Sequence, residues 1–191
     1  RNLRDEAMAT DRVILGVDPG TAIMSYGVMS AKGKDPEIVN YGVIHLQKYK
    51  DNMVKLRKIF ERSLNLIDTY KPDEVAIEAP FYGKNVQSML KLGRAQGVAM
   101  AAGLYRDVPI FEYAPRKIKQ SIPGNGNASK EQVAGMIDSL LKLGEIPQHL
   151  DATDGMAVAL CHFFQKGESG KQGKQYNSWK SFVQNNPGKI K

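Results

Sequence analysis

The sequence predicts an α/β fold: a five-stranded mixed sheet, three antiparallel strands followed by two parallel ones, with helices on both faces. Three observations lead there. Apolar strand-like runs crowd residues 12–46 with turn chemistry between them. Helix-like and strand-like segments then alternate along the chain. The 191 residues, 42% hydrophobic and 25% charged, suffice to bury one sizeable core.

Residues 13–17 are a short apolar run, "DPG" at 18–20 is turn chemistry, residues 24–30 resume the apolar stretch, and "EIVNYGVIHL" supplies a third strand. Over residues 51–70, Met53, Val54, Leu56, Ile59, Phe60, Leu64 and Ile67 have the spacing of an amphipathic helix, which Pro72 stops. "EVAIEAP" makes a fourth strand ending at Glu78. Residues 84–105 read as a long helix rich in Ala and Gly from Ala95 to Gly103, followed by the strand "VPIFEY" and the basic segment "APRKIKQ". After the breaker-rich loop "SIPGNGNAS", Ser129 caps a helix over residues 130–143 with Gly144 as its stop. A closing helix spans about 151–165. Residues 12–165 thus form one domain. Residues 1–11 are read as an N-terminal extension, with Met8 a candidate natural start and residues 1–7 either native or a candidate cloning remnant. Residues 166–191 are a basic flexible tail.

The net charge of +7 favours polyanionic partners. Residues 166–191 hold six Lys and one Glu, a net of +5, which leaves +2 for residues 1–165. Cys161 is the only cysteine, so an intrachain disulfide is excluded, no zinc spacing exists, and a reducing cytoplasmic setting is expected. No apolar run is long enough to span a bilayer, and "RNLRDEA" lacks the apolar core of a signal peptide.

The chemistry concentrates in acids beside apolar segments, because an unpaired buried carboxylate is costly. Asp18 ends the first strand, Glu78 ends the fourth, and Asp151 and Asp154 share one face at the start of the last helix. Each has a plain reading: a turn residue, a solvated strand end, and a cap with a favourable dipole partner. If strands one and four are neighbours and the last helix crosses them, the four converge. Such a cluster needs protons or cations to neutralise it. Carboxylate oxygens suit Mg²⁺ and Mn²⁺, and two such ions roughly 4 Å apart support phosphodiester hydrolysis.

"ILGVDPGTAIMSYGV", "VAIEAPFYGKNVQSMLKLGRAQGVAMAA", "EYAPRKIKQSIPGNGNASKEQV" and "DATDGMAVAL", in this order, resemble the RuvC family of Holliday-junction resolvases. The resemblance covers residues 13–164. It implies a ribonuclease H-like fold and a homodimeric, bacterial, cytoplasmic endonuclease of DNA recombination and repair. Such an enzyme cuts four-way DNA junctions with paired symmetric nicks, using Mg²⁺ or Mn²⁺ and two ions per site. Asp18, Glu78, Asp151 and Asp154 fall on the metal-binding acids. Phe81 falls on an aromatic wedge at the junction centre, and Lys119 and Lys130 on basic positions near the scissile phosphate. Lys84, Arg116 and Lys117 are further candidate backbone contacts. The implied partner is a branch-migration motor complex, RuvA with RuvB. Gly155 departs from the expected Ala, a loss of about 1 kcal/mol of helix propensity at most.

The remaining features read more plainly. "GNGNASK" lacks the Gly-Lys-Ser/Thr ending of a phosphate loop. Tyr82 is read as packing on the sheet, Cys161 as a small core residue, His149 and His162 as structural, and His45 as a strand-end residue with no evident role. The Ala/Gly-rich helix is a candidate dimer element. Two other classes compete with the nuclease. A sugar kinase or actin-like ATPase would share the underlying fold and a "DPGT" loop, but 191 residues leave little room for its second domain. A non-catalytic junction binder would gain nothing from four acids facing DNA.

Overall fold

The computed structural model describes residues 11–32, 35–80, 83, 85–143 and 150–167. The elements are β1 (Arg12–Asp18), β2 (Ile23–Lys32), β3 (Asp35–His45), α1 (Asn52–Tyr70), β4 (Glu74–Glu78), α2 (Val86–Tyr105), β5 (Ile110–Tyr113), α3 (Pro115–Ser121), α4 (Lys130–Leu141) and α5 (Asp151–Gly167). The sheet order is β3-β2-β1-β4-β5. The first three strands pair antiparallel, and β1–β4 and β4–β5 pair parallel, as expected.

Strand alternation divides two cores. Leu15, Val17, Val75 and Ile77 face α1 and α2, where they join Ile59, Leu66, Ile67, Ala95 and Ala99. Ile14, Met29 and Ala76 face the other way, against α4 and α5. By the same period of two, Asp18 shares its face with Ile14, and Glu78 with Ala76. The acids at both strand ends therefore point to the α5 side.

Local chemistry sets the helix ends. The Asp51 carboxylate accepts from Met53 N–H to start α1, and Lys71 ends it in the left-handed region at φ 46°. Asn85 caps α2 at Ser88 N–H, so this helix begins two residues later than the 84 expected. Ser129 and Gln132 form a reciprocal capping box on α4, as the Ser129 prediction requires. That helix ends at Leu141, with Lys142 as a left-handed cap, before Gly144 is reached. The basic segment 115–121, given no element from sequence, is the helix α3, begun by Pro115 at its first turn.

Small residues let α5 lie directly on the sheet. A Cβ added at Gly16 would stand 2.3 Å from the Gly155 carbonyl oxygen, and one at Gly27 2.7 Å from Met156 Cα. A Cβ at Gly155 would stand 2.4 Å from the Tyr26 backbone. Gly155 is therefore a seat rather than merely a weak helix former, because backbone touches backbone there. Met156, Val158 and Leu160 are wholly buried below it, each contributing about 2 kcal/mol. That anchoring holds the helix down although its first turn carries two acids.

Candidate active site

The four predicted acids come together at one end of β1, β4 and α5. Asp18, Glu78 and Asp154 line one open cleft with Arg116, Lys119, Lys130, Gly126 and Asn127. Asp151 stands one helical turn before Asp154 and is tied to it through Lys130. The Lys130 ammonium donates to Asp151 Oδ1 at 2.8 Å and to Asp154 Oδ2 at 2.9 Å. Its place follows from the capping box, which fixes Lys130 as the first residue of α4.

The electrostatics differ sharply between the acids. Burial, then repulsion from Asp18 and Asp154, pushes the Glu78 carboxyl up to about 8. Burial, then repulsion from Asp154, pushes Asp18 up to about 6, with Lys130 opposing. Burial also raises Asp154, although its bond to Lys130 works the other way. For Lys130 itself burial works downward, but the two carboxylates outweigh it and hold the ammonium above its ordinary range.

Among the described residues, no three His, Cys, Asp or Glu side chains stand close enough to form a ready metal cage. The donor chemistry nevertheless fits a hard divalent cation. All four ligand candidates are carboxylates, and two of them, Asp18 and Glu78, are half-buried, mutually repelling and without a hydrogen bond or ion pair among the described residues.

The other predicted residues separate. Arg116 and Lys119 reach the cleft, whereas Lys117 is exposed and does not line it. Helical spacing on α3 explains this: Ile118 is buried, and its neighbours fall on different sides. Phe81, Tyr82, Lys84, His149 and the 168–191 tail lie outside the described residues. Cys161 is buried, as a core residue should be. The sequence reading missed the partner of His162, which is fully buried and bonded to Glu74 at 2.7 Å across a separation of 88 residues. Its only sequence signal was a histidine inside an apolar run.

The family model for crossover junction endodeoxyribonuclease RuvC matches residues 14–162. The chain belongs to the RuvC family. The crossover junction endodeoxyribonuclease RuvC of Christiangramia forsetii is 59% identical over 184 residues, covering 96% of this chain and 95% of that protein. Its counterpart from Cytophaga hutchinsonii is 60% identical over 181 residues, covering 95% and 89%. The structure of T. thermophilus RuvC in complex with a Holliday junction substrate superposes with a TM-score of 0.75 at 30% identity, covering 81% of this chain and 94% of that one. The fold is thus that of RuvC and the ribonuclease H-like nucleases, as the resemblance implied. Divalent-metal dependence is general to this family.

Proposed function

We propose that this chain resolves four-way DNA junctions as a crossover junction endodeoxyribonuclease, making paired symmetric nicks by metal-dependent phosphodiester hydrolysis. The observation that carries the reading is the cleft itself. Asp18, Glu78 and Asp154 share it with Lys119, Lys130 and Arg116, in a chain that matches the family over residues 14–162.

Asp18, Glu78, Asp151 and Asp154 would hold Mg²⁺, or Mn²⁺, with two ions per site. A divalent ion there supplies an activated water and charge for the leaving oxygen. The protein's own groups do the remaining work. Lys119 and Arg116 hold the phosphodiester over the acids, and Lys130 balances the α5 pair while lying within reach of the same phosphate. Glu78 and Asp18 are matched to a cation by burial and mutual repulsion. Phe81 and Lys84, on the segment after β4, would stack on and flank the opened junction centre, with Lys117 as an outer backbone contact.

A second copy of the chain is expected on α2. Val86, Leu90 and Leu104 are 50–63% exposed on that helix, and nothing lies within 4 Å of a Cβ added at Gly93 or Gly97. Such an uncovered small and apolar stripe suits a twofold contact, which also matches a substrate needing two symmetric cuts. RuvA with RuvB would present the junction. No helix among the described residues is long and apolar enough to cross a membrane, and the cytoplasm is the proposed compartment.

The test uses synthetic four-way junctions and linear duplex, with Mg²⁺ or EDTA, for wild type and Asp154→Asn. Paired nicks on the junction alone, lost with EDTA and in the variant, are expected. Junction binding without any cutting would instead make the chain a binding module.

A further inference from the structure

At the opposite end of β4 from Glu78 lies a buried polar network that the proposed chemistry does not use. His162 Nε2 stands 2.7 Å from Glu74 Oε2, and His162 Nδ1 stands 2.7 Å from the Tyr113 hydroxyl. An ionised Glu74 only accepts, so Nε2–H donates to it and Nδ1 accepts from the Tyr113 O–H. Arg12 reaches Glu74 at 3.4 Å, and Phe111 lies against the imidazole at 4.5 Å between ring centroids. One histidine on α5 is thereby tied to β4 and β5, and through Arg12 to β1.

The geometry of the two ends is matched. From Glu74 to Glu78 the strand advances four residues, about 13 Å. From His162 back to Asp154 the helix covers eight residues, about 12 Å. The two elements run in opposite directions, so bonding Glu74 to His162 brings Asp154 to the level of Glu78. We propose that Glu74 and His162 are a positioning pair that sets the register of α5 along β4 and so holds Asp154 opposite Glu78. The inference rests on the assignment of those two acids to the active site.

Neither the glycine seat nor the apolar core does this alone. Gly16, Gly27 and Gly155 determine how closely α5 approaches the sheet. Apolar burial is non-directional and tolerates small slides. A slip of one residue would move Asp154 by about 1.5 Å and turn it by about 100°. Misplacement of about 1 Å at a reacting centre can lower a rate about a hundredfold. Directed hydrogen bonds made by the fully buried His162 ring resist such a slip, because breaking them strands its polar nitrogens away from water.

The test compares His162→Phe and Glu74→Ala with the conservative His162→Gln and Glu74→Gln. Phenylalanine keeps the ring volume against Phe111 and removes both bonds, whereas glutamine can restore a donor or acceptor. Junction affinity is measured in EDTA, Mn²⁺ affinity by calorimetry without DNA, and kcat at saturating junction. His162→Phe and Glu74→Ala should retain junction affinity, bind Mn²⁺ about tenfold more weakly and lose about 10- to 100-fold in kcat, with the Gln variants recovering most of both. Tyr113→Phe, which deletes one hydroxyl, should shift both readouts in the same direction and serves if either disruptive variant fails to fold. Lower thermal stability with unchanged Mn²⁺ affinity and kcat would overturn the proposal and leave the network merely structural. A wild-type protein that binds no Mn²⁺ and cuts no junction would instead overturn the active-site assignment, and the positioning role with it.

Discussion

Glu74 and Glu78 stand on the same strand, four residues apart and on the same face, yet the fold treats them oppositely. Glu74 is surrounded by partners: His162 at 2.7 Å and Arg12 at 3.4 Å. Glu78 has no hydrogen bond or ion pair among the described residues, and burial with repulsion from Asp18 and Asp154 raises it to about 8. The same residue type thus builds a satisfied anchor at one end of β4 and an electrostatically strained donor at the other. Satisfied polar groups rigidify a core, whereas an unsatisfied acid cluster is poised for a cation. The pairing of a rigid end with a strained end is what a positioned metal site requires.

The strongest way to break this contrast is to neutralise the strained end. Under the proposed metal-ligand role of these two carboxylates, Glu78→Gln and Asp154→Asn should each lower junction nicking by at least about a thousandfold, since each would remove a donor from the ion that would stabilise the leaving oxygen. Binding to the junction in EDTA should be unchanged or tighter, since less negative charge then faces the phosphates. Nicking rates and a mobility-shift titration check both halves.

Lys130→Met comes next. The α5 acids lose their only ion-pair partner among the described residues, and nicking at saturating junction should fall by about 10- to 100-fold. Gly155→Ala is milder. Its added Cβ meets the Tyr26 backbone, so α5 must lift, and urea unfolding should show a loss of about 1–3 kcal/mol.

The remaining expectation is a pH trend in stability. Glu78 is raised from 4.5 to about 8, and Asp18 from 3.8 to about 6, so the folded chain holds protons that the unfolded chain releases. Their contribution to stability is complete below the unfolded values and is lost as pH rises through the folded ones. The melting temperature of the metal-free protein should therefore decline between about pH 5 and pH 8. Glu78→Gln should flatten most of that decline.

Much of the active end was legible in the sequence. Strand alternation placed Asp18 and Glu78 at strand ends, the three-residue spacing put Asp151 and Asp154 on one helix face, and Ser129 announced the start of α4 and hence the position of Lys130. What the sequence hid was long-range. Nothing local states that β1 lies beside β4, which makes Asp18 and Glu78 neighbours, or that His162 meets Glu74 across 88 residues. Gly155 looked like a propensity loss because its meaning lies in the backbone of Tyr26. The α3 helix was missed because "APRKIKQ" is short and polar, with Ile118 as its one buried anchor. Its charges look alike in sequence until the helix turns Lys119 into the cleft and Lys117 away from it.

The most direct test of the central claim follows protons during metal binding. Mn²⁺ is titrated into the DNA-free protein at about pH 7 in two buffers of different ionisation enthalpy, for wild type and Glu78→Gln. With Glu78 raised to about 8, wild type should release close to one proton as the first ion binds, and the variant should bind weakly with almost no release. Equal affinity in the two proteins, or tight wild-type binding without proton release, would contradict the assignment of the strained end as the metal site.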